Sequence, residues 1–169
     1  MDFKLRPWEP GDADDLAKAA NNPLIAANMR DMFPHPYAWE DAVRFIEMTM
    51  QSEPRNIMAI VVDGNAAGGI GVFPQSDIHR LNAEMGYWLA EPHWGKGIIT
   101  RAIKEMTTYA FTHFEITRIY AIPFGTNIAS QKALEKAGYT LEGRFANTII
   151  KNGELKDELV YAFRKPVNQ

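Results

Sequence analysis

The stretch Trp94-Gly95-Lys96-Gly97-Ile98-Ile99-Thr100 decides how the chain around it folds. It separates a strand-like run at residues 81–89 from a run with helical spacing at residues 98–114. Two glycines one residue apart allow a tight turn in which bare backbone N–H groups approach a ligand closely. The first turn of the following helix adds unpaired N–H donors and a partial positive charge. The stretch, called the glycine turn below, therefore predicts a binding site for a phosphate or pyrophosphate.

The runs on both sides of the glycine turn are amphipathic. Alternation in the first run predicts two opposite faces of a strand, with Leu81, Ala83, Met85, Tyr87 and Leu89 on one and Asn82, Glu84, Gly86 and Trp88 on the other. The second run places apolar residues on one helical face, namely Ile99, Ala102, Ile103, Met106 and Ala110. With a further strand at 118–122, the three elements predict a parallel strand pair with a right-handed crossover.

The rest of the chain predicts a β-α-α-β-β-β-α-β-α-β-β order and therefore a mixed sheet. The other strands are expected at residues 3–6, 57–62, 66–73, 139–150 and 155–163. The other helices are expected at 12–21, 39–50 and 127–136, with Asp12 capping the first and Gly138 ending the last. Hairpin turns are predicted at Asp63-Gly64-Asn65 and Asn152-Gly153, and the glycine-rich strand 66–73 is expected to be irregular.

Composition indicates a globular protein of one domain, residues 1–169. Its residues are 46% hydrophobic and 23% charged, and its net charge of −3 argues against nucleic-acid binding through bulk charge. There are no cysteines, which excludes disulfides, thiolate metal sites and a cysteine nucleophile. No signal peptide is visible, and the longest apolar run, at 57–62, is too short to span a membrane. We therefore expect a cytoplasmic protein with no membrane partner.

Four segments carry a resemblance to a known family. They are 83–89 followed by Trp94-Gly95-Lys96-Gly97, Asn127-Ile128-Ala129-Ser130 followed by 134–139, Phe33-Pro34-His35-Pro36-Tyr37, and Gly153 with Asp157. In this order the chain resembles the GNAT superfamily of N-acetyltransferases, in the branch of ribosomal-protein alanine N-acetyltransferases. The resemblance implies a GNAT-like α/β fold. Its mixed sheet has about seven strands, with about four helices, and splays between the fourth and fifth strands.

The resemblance also implies acetyl-CoA as co-substrate, with no metal. It assigns the pyrophosphate to the backbone N–H groups of Gly95, Lys96, Gly97, Ile98, Ile99 and Thr100. The pantetheine arm is assigned to the backbone of Trp88, Leu89 and Ala90, and to Asn127 and Ser130. The Leu89 amide would face the thioester oxygen. Lys96 and Arg101 either add charge near the phosphates or are plain surface charges. Pro92 replaces the Gln or Arg that usually begins the family's glycine motif.

Direct attack of an amine on the thioester is expected, because a chain without cysteine forms no acetyl-cysteine intermediate. Glu84 is the candidate general base, since a carboxylate within a central strand is costly unless it is paired or faces a cleft. The alternative is a structural ion pair of Glu84 with Arg30, Arg80 or another cation. A neutral α-amine is easier to supply than a lysine amine, because the reference pKa values are about 7.7–8.0 and about 10.4.

The leaving thiolate needs a proton or a hydrogen bond. Many family members have a tyrosine at the position of Leu134, so that general acid is missing here. Ser130, one turn earlier, is the nearest hydroxyl; the alternative is a helix-start serine that bonds its own backbone. Asn127 is expected to cap this helix through its oxygen and to contact pantetheine through its NH₂.

Two functions are the main hypotheses from the sequence, beside the generic possibility of an enzyme that uses another nucleotide cofactor. One is acetyl transfer to a primary amine, either the N-terminus of a ribosomal protein or a small amine, by a monomer or homodimer. The other is a CoA-binding sensor or interaction module without catalysis. The loop at 29–37 is expected to form one wall of the acceptor site, although Phe33 and Tyr37 are equally consistent with core packing. The four histidines lack the spacing of zinc ligands.

Overall fold

The sheet is mixed, as the strand order predicts. A computed structural model describes residues 1–167, and within them seven strands form one sheet in the order β1-β2-β3-β4-β5-β7-β6. Every neighbouring pair is antiparallel except β4 and β5, which are parallel. The strands are β1 Phe3–Pro7, β2 Ile57–Val62, β3 Asn65–Pro74, β4 Asn82–Leu89, β5 Arg118–Ala121, β6 Thr140–Lys151 and β7 Glu154–Arg164.

Five α-helices are present in residues 1–167, one more than expected. They are α1 Ala13–Ala20, α2 Pro23–Ala26, α3 Trp39–Thr49, α4 Ile98–His113 and α5 Ile128–Lys136. The additional helix is α2, which is a single turn. The Asn22 side chain accepts the Leu24 N–H at 2.8 Å, and Pro23 occupies the first helical position. The residues that end α1 therefore also begin α2, since Asn and Pro favour helix starts.

Each face of the sheet covers its own apolar core. One core packs between the sheet and the α4–α5 side, and its buried residues include Met85, Leu89, Ile103 and Leu134. The other packs on the α1–α3 side and includes Trp88. Tyr87 packs against the first core. The alternating faces predicted for β4 are therefore confirmed.

The two predicted hairpin turns are present. Asp63 and Gly64 have φ values of 50° and 84°, and Asn152 and Gly153 have φ values of 51° and 78°. Two consecutive positive φ values are typical of the tight turn that joins antiparallel strands, and Asn, Asp and Gly adopt them most readily.

The expected irregularity of β3 is also present, as a register shift opposite Ile60 and Val61. β6 forms an edge of the sheet, which is where a contact in a homodimer would be expected.

The role expected for Asp12 is wrong, because its side chain makes no cap bond to α1. Its carboxylate instead accepts two hydrogen bonds of 2.7 Å from Arg6 and one of 2.9 Å from the Glu9 N–H. Burial raises the pKa of Asp12, but these hydrogen bonds outweigh it and the net pKa is lowered. The buried ion pair ties β1 to the start of α1.

Asp12→Asn is expected to lower the free energy of unfolding by about 2–4 kcal/mol at neutral pH, because it leaves the Arg6 cation without its buried partner. A lowered pKa stabilises the fold above the unfolded value of about 3.9, and this contribution is lost as pH falls through the folded value. Urea unfolding between pH 3 and pH 7 measures both effects. Equal stability of the variant and the wild type at pH 7 would contradict this role of the ion pair.

Candidate active site

β4 and β5 separate partway along their length, as the resemblance implies. Their pairing joins Asn82–Glu84 of β4 to Arg118–Tyr120 of β5. β4 then continues to Leu89, while Pro123 follows the end of β5 closely. Residues 85–89 of β4 therefore border an opening on the β5 side, called the β4–β5 gap below.

The backbone of β4 presents alternate residues to this gap. The Ala90 N–H donates to the Ala67 carbonyl at 2.7 Å, and the Asn82 carbonyl accepts from Gln75 at 2.9 Å. Hydrogen-bonded pairs alternate in an antiparallel ladder, so even-numbered residues of this stretch face β3 and odd-numbered ones face the gap. Of the three residues predicted to pair with pantetheine, only Leu89 therefore faces the gap. Trp88 and Ala90 are turned toward β3.

Tyr87 joins Leu89 as a backbone group that faces the gap. The Leu89 carbonyl already accepts a hydrogen bond of 2.7 Å from the Trp94 indole. This bond holds Trp94, the first residue of the glycine turn, against the end of β4. The N–H groups of Tyr87 and Leu89 and the Tyr87 carbonyl remain directed into the gap, which is the pattern that an added extended chain requires.

The glycine turn has the backbone geometry predicted for it. Gly95 and Gly97 have φ values of 71° and 73°, and a Cβ placed on either would meet no atom within 4 Å. α4 begins at Ile98, and the Arg101 N–H donates to the Gly97 carbonyl at 3.3 Å. The preceding N–H groups, of Ile98, Ile99 and Thr100, belong to the first turn, where a helix offers no acceptor of its own. Open space therefore lies beside a row of backbone donors.

The two cations near this turn are held by other parts of the protein. Lys96 Nζ donates to the Pro92 carbonyl at 2.7 Å. The Arg101 guanidinium lies 5.0 Å from the centre of the Phe3 ring and donates to the Met1 carbonyl. Both side chains thus make hydrogen bonds within the protein, and the groups that the turn itself presents are backbone N–H donors.

Glu84 lies in an ion pair with Arg30, as the alternative interpretation predicts. The Arg30 Nη2 to Glu84 Oε1 distance is 2.6 Å, and the Glu84 side chain is 22% exposed while that of Arg30 is 69% exposed. Burial raises the pKa of Glu84, Arg30 opposes this change, and the nearby Glu158 charge adds to it, so the net pKa is raised. The raised pKa and the exposed partner keep Glu84 a candidate for the general-base role.

A cleft of about 170 Å³ lies beside this ion pair, between the loop before α3 and the last hairpin. Apolar and charged groups both line it, and they are Met29, Arg30, Asp31, Ile122, Phe124, Ile149, Ile150, Lys151 and Glu158. Lys151 is itself buried and donates to Asp31 at 2.9 Å. The aromatic groups of the loop pack inward instead: Tyr37 is buried, and the Phe33 ring lies 6.0 Å from that of Trp88.

The hydroxyls near the gap come from α5 and β4. Asn127 caps α5 as predicted, its Oδ1 accepting the Ser130 N–H at 3.3 Å. Ser130 Oγ lies 2.6 Å from the hydroxyl of Tyr87, and Leu134 is fully buried. The alternation along β4 predicts the correct face for the Tyr87 side chain but no role for it. Tyr87 and Leu89 are two residues apart in the strand, and this spacing is the sequence pattern that indicates that both backbones face the same side.

Two kinds of site are absent from the part of the chain that the structure describes. Within residues 1–167, no cluster of three or more His, Cys, Asp or Glu side chains has the arrangement to hold a metal ion. No helix in the same range combines the length and apolar character needed to cross a membrane.

Comparisons with known proteins agree with this geometry. Residues 2–140 match the acetyltransferase (GNAT) domain family. The spermidine N(1)-acetyltransferase of Escherichia coli (strain K12) is 27% identical over 157 residues, which are 92% of this chain and 82% of that protein. The ribosomal-protein-serine acetyltransferase of the same strain is 33% identical over 95 residues, 55% of this chain and 53% of that protein.

A solved structure has the same fold along nearly the whole chain. The microcin C7 self immunity acetyltransferase MccE, in complex with acetyl-CoA and AMP, superposes with a TM-score of 0.83 at 25% identity, over 96% of this chain and 92% of that one. The chain spans 57% and 55% of the length of two further relatives from Bacillus subtilis (strain 168). Because the family match extends over most of the sequence, this chain belongs to the GNAT family of acetyltransferases.

Proposed function

We propose that this protein is an N-acetyltransferase that moves the acetyl group of acetyl-CoA to a primary amine by direct attack. The observation that carries the proposal is the β4–β5 gap, which ends at the glycine turn. The gap offers a strand edge for an amide-containing arm, and the turn offers donors for a diphosphate. MccE, which has the same fold, is named as an acetyl-CoA complex.

The cofactor would lie along this edge with its diphosphate at the glycine turn. The N–H groups from Gly95 to Thr100 hold the phosphates, because convergent backbone donors at a helix start suit an anion. The backbone of Tyr87 and Leu89 pairs with the pantetheine amides in the manner of an added strand. Asn127 Oδ1 is used by the α5 cap, and its NH₂ group remains to contact the same arm.

The reacting groups lie on opposite faces of β4. Glu84 points to the face that carries the cleft, and Tyr87 points to the α5 face, because residues three apart in a strand face opposite ways. An amine in the cleft attacks the thioester carbonyl through the gap, while Glu84 accepts its proton. The Leu89 N–H stabilises the oxygen on which negative charge develops. The thiolate leaves on the α5 side, where Ser130 lies.

The acceptor we propose is the N-terminal α-amine of a protein. The relatives include enzymes named for spermidine and for a ribosomal-protein serine, so both classes are candidates. The cleft does not select between them by charge, because its two cations, Arg30 and Lys151, are balanced by Asp31 and Glu158. The pKa favours an α-amine, because its reference value of about 7.7–8.0 leaves more neutral amine at pH 7 than the value of about 10.4 for an alkyl amine such as that of lysine. A ribosomal acceptor would place the reaction in the cytoplasm.

The test is a thiol-release assay with acetyl-CoA and a panel of amines. The panel contains peptides with the N-termini of ribosomal proteins, the same peptides with blocked α-amines, spermidine and free lysine. We expect turnover with at least one free N-terminus, loss of turnover when that α-amine is blocked, and at least about tenfold lower kcat/KM for spermidine. Binding of acetyl-CoA in a thermal-shift assay without turnover on any amine would favour the CoA-binding module instead.

A further inference from the structure

We propose that Tyr87 positions the Ser130 hydroxyl so that Ser130 donates its hydrogen bond to the departing sulfur of CoA. This inference rests on the proposed acetyl transfer. It makes Tyr87 a positioning residue for a donor on α5, in a chain where Leu134 stands in place of the tyrosine that many family members have.

The contact between the hydroxyls is short and is made by partly buried groups. Tyr87 OH and Ser130 Oγ are 2.6 Å apart across 43 residues of sequence. The threonines of α4 behave differently, since Thr107, Thr108 and Thr112 each donate to the carbonyl four residues earlier in their own helix, and Thr107 does so while also contacting the Tyr139 hydroxyl. The Ser130 hydroxyl is therefore directed toward β4, and the expected alternative, in which it bonds its own backbone, is not what the described residues contain.

The surroundings of Tyr87 and Ser130 determine where their hydroxyl protons lie. Burial raises the pKa of Tyr87 above its ordinary value, so the phenol keeps its proton throughout the working pH range. The Ser130 N–H is already donated to Asn127, and the serine hydroxyl has one proton. When Tyr87 donates to Ser130 Oγ, the Ser130 proton is free to point away from Tyr87. The gap beside Tyr87 and Leu89 is where the thioester would lie.

The bonds and protons of the step balance without any further reagent. The amine nitrogen forms a bond to the carbonyl carbon, and the bond between that carbon and sulfur breaks. The electron pair of that bond leaves with the sulfur as a thiolate. The proton lost by nitrogen goes to Glu84. Ser130 and Tyr87 keep their own protons, and Ser130 stabilises the thiolate through a hydrogen bond to a charged acceptor, which is stronger than a neutral one.

The test compares Tyr87→Phe, Ser130→Ala and the double variant in steady-state acetyl transfer, with acetyl-CoA binding measured by calorimetry. We expect Tyr87→Phe to lower kcat about tenfold and Ser130→Ala about 10–100-fold, with KM and Kd for acetyl-CoA unchanged within about twofold. The double variant should match Ser130→Ala alone, because Tyr87 acts only through Ser130. Tyr139→Phe is the matched control; its hydroxyl bonds Thr107 in the same core, and kcat should not change.

Several results would overturn the proposal. They are a Tyr87→Phe enzyme with wild-type kcat, a Ser130→Ala enzyme with wild-type kcat, or a double variant in which the two losses multiply. A loss in KM or Kd rather than in kcat would assign Tyr87 to cofactor binding. Ser130→Ala leaves the core aromatic ring in place, so a wild-type kcat in this variant overturns the proposal even if Tyr87→Phe fails to fold. A wild-type protein that acetylates no amine would remove the proposed function itself, and that outcome is distinct from all of these.

Discussion

Glu84→Gln is expected to lower kcat for amine acetylation by about 100–1,000-fold, because it removes the carboxylate that accepts the amine proton. The substitution keeps the size of the side chain and its ability to accept a hydrogen bond from Arg30, which contacts Glu84 at 2.6 Å. Binding of acetyl-CoA should therefore persist within about twofold by calorimetry. The matched control is Glu142→Gln, since Glu142 also accepts a hydrogen bond from an arginine but belongs to β6. The kcat of this variant should equal that of the wild type.

The pH dependence of activity tests the same assignment. Burial raises the pKa of Glu84, so activity should fall as pH drops through a value above the ordinary pKa of about 4.3. Glu84→Gln should lose this acidic limb of the pH–rate profile. Arg30→Leu should move the limb to higher pH, because Arg30 holds the pKa down. An enzyme with Gln at position 84 and wild-type kcat would contradict the general-base role and leave only the structural ion pair.

Gly97→Leu is expected to weaken acetyl-CoA binding about 100-fold or more. A side chain at this position enters the open space beside the N–H groups of the glycine turn, and the loss of two hydrogen bonds to a charged phosphate corresponds to about 3 kcal/mol or more. The Gly97 φ of 73° also opposes any residue with a Cβ, so a stability loss of about 1 kcal/mol accompanies the substitution. Calorimetry with acetyl-CoA and thermal unfolding measure the two effects separately.

Gly153→Leu is the matched control for this substitution. Gly153 has a φ of 78° and open space around its Cβ position, and it lies in the hairpin between β6 and β7, outside the glycine turn. The two leucine variants should therefore lose similar stability, while only Gly97→Leu loses affinity. Equal affinity in the two variants would contradict the assignment of the glycine turn to the pyrophosphate.

Local sequence patterns are sufficient for most of the fold. The glycine turn, the Asp63-Gly64 and Asn152-Gly153 hairpins and the alternation of β4 each depend on residues within a few positions of one another. The conformation of such segments follows from φ preferences and from side-chain period, which the local sequence specifies. The helix α2 is the exception, because Asn22-Pro23 ends one helix and begins another, and both outcomes use the same residue types.

The candidate site depends on partners that are far apart in the chain. Glu84 meets Arg30 across 54 residues, Lys151 meets Asp31 across 120, and Ser130 meets Tyr87 across 43. A sequence pattern predicts which face of a strand or helix carries a carboxylate or a hydroxyl. It does not predict which of several distant side chains becomes its hydrogen-bond or ion-pair partner. For Glu84 the pattern allows Arg30, Arg80 or another cation as the partner, and the packing of the loop before α3 selects Arg30.

The strand edge offered to the cofactor is likewise decided by tertiary structure. Alternation along β4 predicts which side chains share a face, but the direction of each backbone N–H depends on the register with β3. That register turns Trp88 and Ala90 toward β3 and leaves Tyr87 and Leu89 on the gap. The sequence alone thus determines the elements other than α2, their order and the glycine turn, because these follow from short-range preferences. The pairing of strands and the packing of loops determine which groups meet, because those contacts are long-range.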